Sequence, residues 1–166
     1  MTAHEPEPEL DLAAVSTELL ERLRKAHVHY EVLPHRRTST AAGEARVLHV
    51  APEETAKTVI AHANGDHVRA VVPATRHLDL QKLADVVGVE SATLLTEHEL
   101  AEAYPGFELG AVPPFGGPEE RVVVDDELAT REHVVLEAGV HDTSLRLKVS
   151  DLVAVAHAEV APIARP

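Results

Sequence analysis

Residues 108–117 read Glu108-Leu109-Gly110-Ala111-Val112-Pro113-Pro114-Phe115-Gly116-Gly117, too stiff for a linker and too broken for a helix or a central strand. Two adjacent prolines fix φ and remove two backbone donors, while the glycines permit φ > 0 or a close approach of backbone to another group. The chain has two Tyr and two Phe in all. Three of these four, Tyr104, Phe107 and Phe115, lie in or beside the segment, so the expectation is a shaped loop with an aromatic wall, the rim of a pocket.

Composition narrows what such a pocket can serve. The 166 residues suffice for one core, and with 2% aromatic residues and no Trp that core must be built from Val, Leu and Ala. There is no Cys, which excludes disulfides, thiolate metal sites and a cysteine nucleophile. The N-terminal MTAHEPEPELD lacks the basic and then apolar run of a signal peptide, and no apolar stretch approaches the ~18 residues of a membrane span. The expectation is a soluble cytoplasmic protein without a membrane partner. A net charge of −13 opposes binding to an extended phosphate backbone, so DNA is not expected as a partner. Only Arg22, Arg24 and Lys25, and then Arg36 and Arg37, offer a small basic footprint.

Along the chain, residues 1–9 are acidic, contain two prolines and show no periodicity; they are expected to form a flexible arm, with one domain over 10–166. Leu12, Val15, Leu19, Leu20 and Leu23 recur at helical spacing over Leu10 to Ala26. Val28 to Leu33 reads as a strand, and Thr38-Ser39-Thr40 can cap a helix to about Val47, with Glu44 placed to complete the cap. Asn64-Gly65-Asp66 marks a hairpin turn between 58–61 and 68–72. Asp79 caps a helix closed by Gly88, a short strand follows near Ser91 to Leu94, and Thr96 with Glu99 forms a capping box. Three strand patterns follow the loop, at 121–125, 134–137 and 145–149, and Ser150 is expected to cap a last helix to about His157. Strands joined by hairpins and by helices imply an α+β fold with a mixed sheet.

Local catalytic signatures are missing: no Gly-x-Ser-x-Gly, His-Glu-x-x-His, Gly-x-Gly-x-x-Gly or phosphate-binding Gly-Lys-Ser/Thr occurs. The twelve histidines, His27-x-His29 and Glu97-His98-Glu99 with Glu102 among them, match no strong ligand spacing, so no metal and no cofactor is expected. Read by pattern alone, Lys57 is a lone cation at the mouth of a buried strand, and His141-Asp142 is a turn between strands. A serine esterase built from Ser144, His141 and Asp142 is disfavoured, because residues so close in sequence do not readily make a triad.

Taken in order, Lys57-Thr58 before an apolar strand, Gly110-x-x-x-Pro114 running into Phe115-Gly116, Val123-Val124-Asp125-Asp126, Ala138-Gly139-x-His141 and the Ser150-Asp151-Leu152 helix resemble the YbaK family. That family comprises aminoacyl-tRNA deacylases and the editing insertion of bacterial prolyl-tRNA synthetases. The resemblance spans Val28 to Ala156. It implies a mixed, barrel-like sheet flanked by helices and a hydrolase that uses no metal. Its substrate is the 3′ end of an aminoacyl-tRNA, and a synthetase is a candidate partner. It also implies that Lys57 is the family's pocket lysine, that Gly110 to Pro114 supply the backbone meeting the substrate, and that His141 is the histidine some members carry.

A misacylated tRNA is an activated ester, so placing the carbonyl and a water and stabilising the oxyanion can suffice. Gly110 and Gly116 would let N–H groups reach the carbonyl, with Pro113 and Pro114 fixing the loop, Ala111 and Val112 completing it, and the vicinal ribose hydroxyl serving as base. Lys57 would hold the terminal phosphate or the adenosine end, helped by Arg36 or Arg37. Phe115, Phe107 and Tyr104 would admit a small wrong amino acid (Ala, Cys or Ser) and exclude a larger one. A module of the same fold that binds an aminoacyl end or a synthetase without hydrolysis is the alternative.

Overall fold

A computed structural model describes residues 17–166, so the acidic arm at 1–9 and the start of the first helix lie outside the described residues. In chain order the elements are α1 (Thr17–Lys25), β1 (Tyr30–Pro34), α2 (Ala41–Leu48), a 3-10 turn (Pro52–Glu54), β2 (Ala56–Ala63), β3 (Asp66–Pro73), β4 (His77–Leu78), α3 (Leu80–Val87), β5 (Ala92–Leu94) and α4 (Glu97–Ala103). After the proline-glycine loop come β6 (Arg121–Asp125), α5 (Asp126–Ala129), β7 (His133–Val140), β8 (Thr143–Lys148), α6 (Val149–Ala156), β9 (Glu159–Ala161) and β10 (Ala164–Arg165).

Local chemistry sets most boundaries. Thr40 caps α2 by accepting from the Gly43 amide at 3.0 Å. Asp79 accepts from Gln81 and Lys82 at the start of α3, whose end is the left-handed Gly88. Thr96 and Glu99 form the capping box of α4. Asn64 and Gly65, with φ of 53° and 87°, make the two-residue turn between β2 and β3, the geometry whose twist matches a hairpin.

The five-stranded sheet has the order β5-β2-β3-β6-β9. It is antiparallel from β5 to β3, then parallel from β3 through β6 to β9. A three-stranded antiparallel sheet, β1-β8-β7, and a β10-β4 pair complete the set. Period-two alternation gives the large sheet two buried faces: Val71, Val122 and Val124 enter the main core, and Ala70, Val72 and Val123 enter a second core under α3. The main core also takes Val134, Leu136, Leu145 and Leu147 from the three-stranded sheet, and Leu19, Leu20 and Leu23 from α1. The two sheets thus share one core and meet at a parallel bridge between Thr55 and Val135, the mixed, helix-flanked arrangement expected from sequence.

Three local expectations need correction. Ser150 does not cap α6: the helix begins at Val149, its cap residue is Lys148, and no side chain caps it, because Val149 is drawn into the main core. Glu44 does not complete the α2 cap, since its side chain is fully buried elsewhere. Asp125 ends a strand and starts α5, which sequence reading missed. It also pins the C-terminal segment: Oδ1 accepts from the amides of Ile163 and Ala164 at 3.0 and 3.1 Å. No helix among the described residues is long and apolar enough to cross a membrane.

Candidate active site where two sheets part

Beyond the Thr55–Val135 bridge, β2 and β7 diverge, and Lys57 and Glu137 stand two residues past it on the facing strands. The opening is a cleft of about 430 Å³, lined by Lys57 and Glu137, by Gly110 and Val112 of the loop, and by Ser39 and Thr40 at the start of α2. Lys57 is half-buried, and burial alone draws its pKa below the usual lysine value, with no carboxylate contributing.

The loop owes its shape to a side chain behind it. Arg69 of β3 is 1% exposed. Its Nη1 donates to the Pro113 carbonyl at 2.8 Å, its Nη2 to Gly116 and Pro118 at 2.7 and 3.0 Å, and its Nε to Glu120 Oε1 at 2.9 Å. The guanidinium also lies over the Tyr104 ring, 5.2 Å from its centroid. Carbonyls that a Pro-Pro segment cannot pair in a ladder are satisfied by one planar fork. Gly110, Gly116 and Gly117 have φ of 84°, 91° and 71°, a region that side-chain-bearing residues enter only with strain.

His141 ties the loop to β7. Its Nε2–H donates to the Leu109 carbonyl at 2.6 Å, and its Nδ1 lies 2.8 Å from Glu137 Oε2 without hydrogen-bond alignment, leaving both of those atoms buried and unpaired. The Glu137 carboxyl is pushed up to about 8 by burial first and by the charge of Glu108 second. Beneath it, Glu44 of α2 is fully buried and accepts from Ser144 Oγ, while His35 Nε2 bonds the same Oγ at 2.9 Å. Burial raises Glu44 to about 7, although the Ser144 bond pulls the other way.

Lys57, Gly110 and Val112 are thus brought together in the cleft with Glu137, whereas Ala111, Pro113 and Pro114 are buried in the loop and His141 supports it from below. The aromatic wall is not there. Tyr104 is 2% exposed and donates to Glu120 Oε1 at 2.6 Å, with burial and that carboxylate holding its phenol well above the usual range. Phe115 sits in the main core. Phe107 packs on glycines, and a Cβ at Gly139 would stand 2.6 Å from its Cδ1. The cleft wall is instead aliphatic: a side chamber of about 220 Å³ opens past Gly110 and Val112 between Val59, Ile60, Leu95 and Leu100. Arg37 forks onto Glu108 at 2.6 and 3.1 Å, and Arg36 is exposed on the same turn. Ser144 is buried and bonded to Glu44 and His35, so no Ser144-His141-Asp142 triad is assembled.

Sequence reading missed Arg69, Glu137 and Glu44. The available signal was a charge inside an apolar strand, in Val68-Arg69-Ala70-Val71 and Leu136-Glu137-Ala138.

A two-sheet fold with a lysine-and-glycine-loop cleft defines a class, and comparison with known proteins gives it a family. Residues 35–155 match the family model of the aminoacyl-tRNA editing domain, and the chain belongs to that family. It is an aminoacyl-tRNA deacylase, an ester hydrolase, in keeping with the YbaK-like pattern of its motifs. Among similar proteins, the Multifunctional Ser/Thr-tRNA deacylase ProXp-y of Escherichia coli K12 is 28% identical over 148 residues, 86% of this chain and 88% of the relative. The proline–tRNA ligase of Heliobacterium modesticaldum is 32% identical over 91 residues, 55% of this chain and 16% of the ligase. The crystal structure of hypothetical protein APE2540 superposes with a TM-score of 0.82 at 26% identity, covering 89% of this chain and 99% of that one.

Arg69→Met leaves three carbonyls and Glu120 without their buried partner and should cost about 3–5 kcal/mol in urea unfolding. Arg69→Lys should recover only part of this, since an ammonium cannot fork, and loss of the partly exposed Arg146–Glu31 pair should cost less than about 1 kcal/mol.

Glu44 gives a pH test. Its folded pKa of about 7 exceeds the ordinary 4.5, so the native state holds the proton more tightly and stability falls as pH rises between those values. Glu44→Gln removes that loss. The stability of the variant minus that of wild type, from melts at pH 5 and pH 8, should therefore rise by about 2–3 kcal/mol. A flat difference would show that Glu44 titrates normally.

Proposed function

We propose that this cleft deacylates mischarged tRNA carrying a small amino acid of the Ala, Cys or Ser class, as a free-standing trans-editing domain. The observation that carries the reading is the pairing, across one opening, of a carboxylate-free lysine with a glycine loop braced from behind. Water adds to the ester carbonyl, the C–O bond to the ribose breaks, and the leaving oxygen takes a proton, yielding free amino acid and tRNA. The loop at Gly110 stabilises the tetrahedral oxyanion with backbone already in place, so little reorganisation is needed as charge develops. Lys57 holds the terminal phosphate or orients the adenosine end. The vicinal ribose hydroxyl activates the water, and His141, bonded to the Leu109 carbonyl, fixes the approach to Gly110.

The aliphatic side chamber takes the amino-acid side chain and sorts it by size. One methylene in such a chamber is worth only about 1–3 kcal/mol, so discrimination rests on steric exclusion of larger residues. A serine-sized guest is favoured by Thr58, whose residue lines both the cleft and the side chamber, and the Escherichia coli relative bears the name of a Ser/Thr-tRNA deacylase. The match to 88% of that relative, against 16% of a proline–tRNA ligase, supports a domain acting on its own.

A deacylation screen over Ala-, Cys-, Ser-, Thr- and Pro-charged tRNAs should show turnover of the small esters, Ser among them. Lys57→Ala should lower kcat/KM by about 10²–10³ while the melting temperature stays near wild type, because removing a desolvated ammonium relieves a burial cost. Gly110→Val should abolish activity through its left-handed φ, and Pro118→Ala, which keeps the carbonyl that Arg69 uses, should be nearly silent. Equal rates for Lys57→Ala and wild type would remove the assignment.

With Arg37 committed to Glu108 and the chain at −13, few cations are left for RNA, and contact should be confined to the 3′-terminal nucleotides. The slope of log affinity against log salt should then be shallow, about −1 to −3, and a short aminoacylated stem should compete with full tRNA. A slope near about −8 without such competition would mean an extended RNA surface, or one supplied by a synthetase partner.

A further inference from the structure

We propose that Glu137 is the receptor for the free α-ammonium of the esterified amino acid, so that the cleft selects unblocked aminoacyl esters over N-blocked or amine-free ones. This rests on the reading of the cleft as an ester hydrolase and specifies how it recognises its substrate.

Titratable groups face Glu137 from β2, from the loop, from α2 and from the β7–β8 turn. From β2 comes Lys57, which draws nothing from it electrostatically. The loop brings Glu108, which is ion-paired with Arg37 and whose remaining negative charge repels a carboxylate at Glu137, and α2 brings Glu44, a second buried acid. The β7–β8 turn supplies His141, whose one well-made bond goes to Leu109 and whose Nδ1 meets Glu137 Oε2 out of alignment. No neighbour among the described residues completes this carboxylate. Such an acid on a cleft wall fits a cationic guest.

Of the substrate's parts, the α-amino group is the one cation, and it sits one carbon from the carbonyl to be attacked. Because Oε2 is buried against His141, the oxygen that Glu137 offers the cleft is Oε1. The same imidazole anchors Leu109, the residue before Gly110, so the amine site and the carbonyl site are held at a fixed separation by one ring. Lys57, on the opposite strand, is left for the anionic end of the substrate, and a guest with a cation at one end and a phosphate at the other matches both walls. In the empty cleft burial keeps the Glu137 carboxyl largely protonated at neutral pH; an arriving ammonium favours the carboxylate, and the proton leaves to solvent.

The test uses wild-type protein and three esters on the same tRNA: seryl, N-acetylseryl and glyceryl, the last replacing the ammonium by a hydroxyl of similar size. Each enzymatic kcat/KM is divided by the spontaneous hydrolysis rate of that ester, which removes the intrinsic activation by the amine. The normalised value for seryl-tRNA should exceed both others by about 10- to 100-fold, the range of a charge-assisted bond in a partly buried site. Glu137→Gln, checked for folding by its melting temperature, should bring the three within about threefold by lowering the seryl rate. Normalised rates in wild type within that same span would overturn the proposal even if the variant failed to fold. So would a Glu137→Gln variant slowing all three esters by one factor, since that is a role in hydrolysis itself. Failure of wild type to hydrolyse any small aminoacyl-tRNA would instead overturn the underlying hydrolase reading.

Discussion

The guanidinium of Arg69 is the constraint on which the loop, and through the loop the cleft, depends. A segment with adjacent prolines and three left-handed glycines cannot satisfy its carbonyls in a ladder or helix, and burying them unpaired would be prohibitive. One rigid fork with five donors takes three of those carbonyls and the Glu120 carboxylate, and Tyr104 closes the set from the other side. Because Arg69 is carried by a central strand paired on both sides, the loop inherits the rigidity of the sheet. Shape in the loop is therefore a property of β3.

The cleft has an equally simple origin. Two sheets joined by a single bridge must separate beyond it, and the residues just past the bridge face a gap that neither hydrophobic core fills. Here those residues are Lys57 and Glu137, a base and an acid that burial pushes toward their neutral forms and that are not ion-paired with each other, so each keeps its demand for a partner. Preorganisation in this site consists of unmet electrostatic demand on two walls and a fixed backbone on the third, in keeping with an ester that needs little covalent help.

Much of this was readable in the sequence, and for identifiable reasons. Caps at Thr40, Asp79 and Thr96, the Asn64-Gly65 turn and the loop itself rest on interactions within a few residues, which local patterns encode. The order of the motifs also carried the family. What failed was long-range. Tyr104, Phe107 and Phe115 were rightly associated with the loop, but whether an aromatic ring faces the cleft or the core depends on Arg69, Gly139 and Leu19, residues distant in sequence. Glu44 fitted a cap by spacing, yet burial beside Ser144, a hundred positions away, decided its role. Charged residues within apolar strands were the one legible sign of Arg69 and Glu137, and a strand pattern alone does not say what lies opposite.

The chain from Glu44 through the Ser144 hydroxyl to His35 runs from the fully buried interior to a half-exposed imidazole whose other nitrogen bonds the Arg36 carbonyl at 2.7 Å. Ser144 Oγ is the joint of that line, donating to the interior carboxyl and meeting the imidazole on its other side. It sits on β8, whose register ties it to β1 on one side and β7 on the other, while Glu44 belongs to α2. The floor of the cleft is therefore stitched across helix and sheet by a polar seam inside an otherwise apolar interior, and the start of α2 is fastened to the strands by bonds with direction as well as by packing.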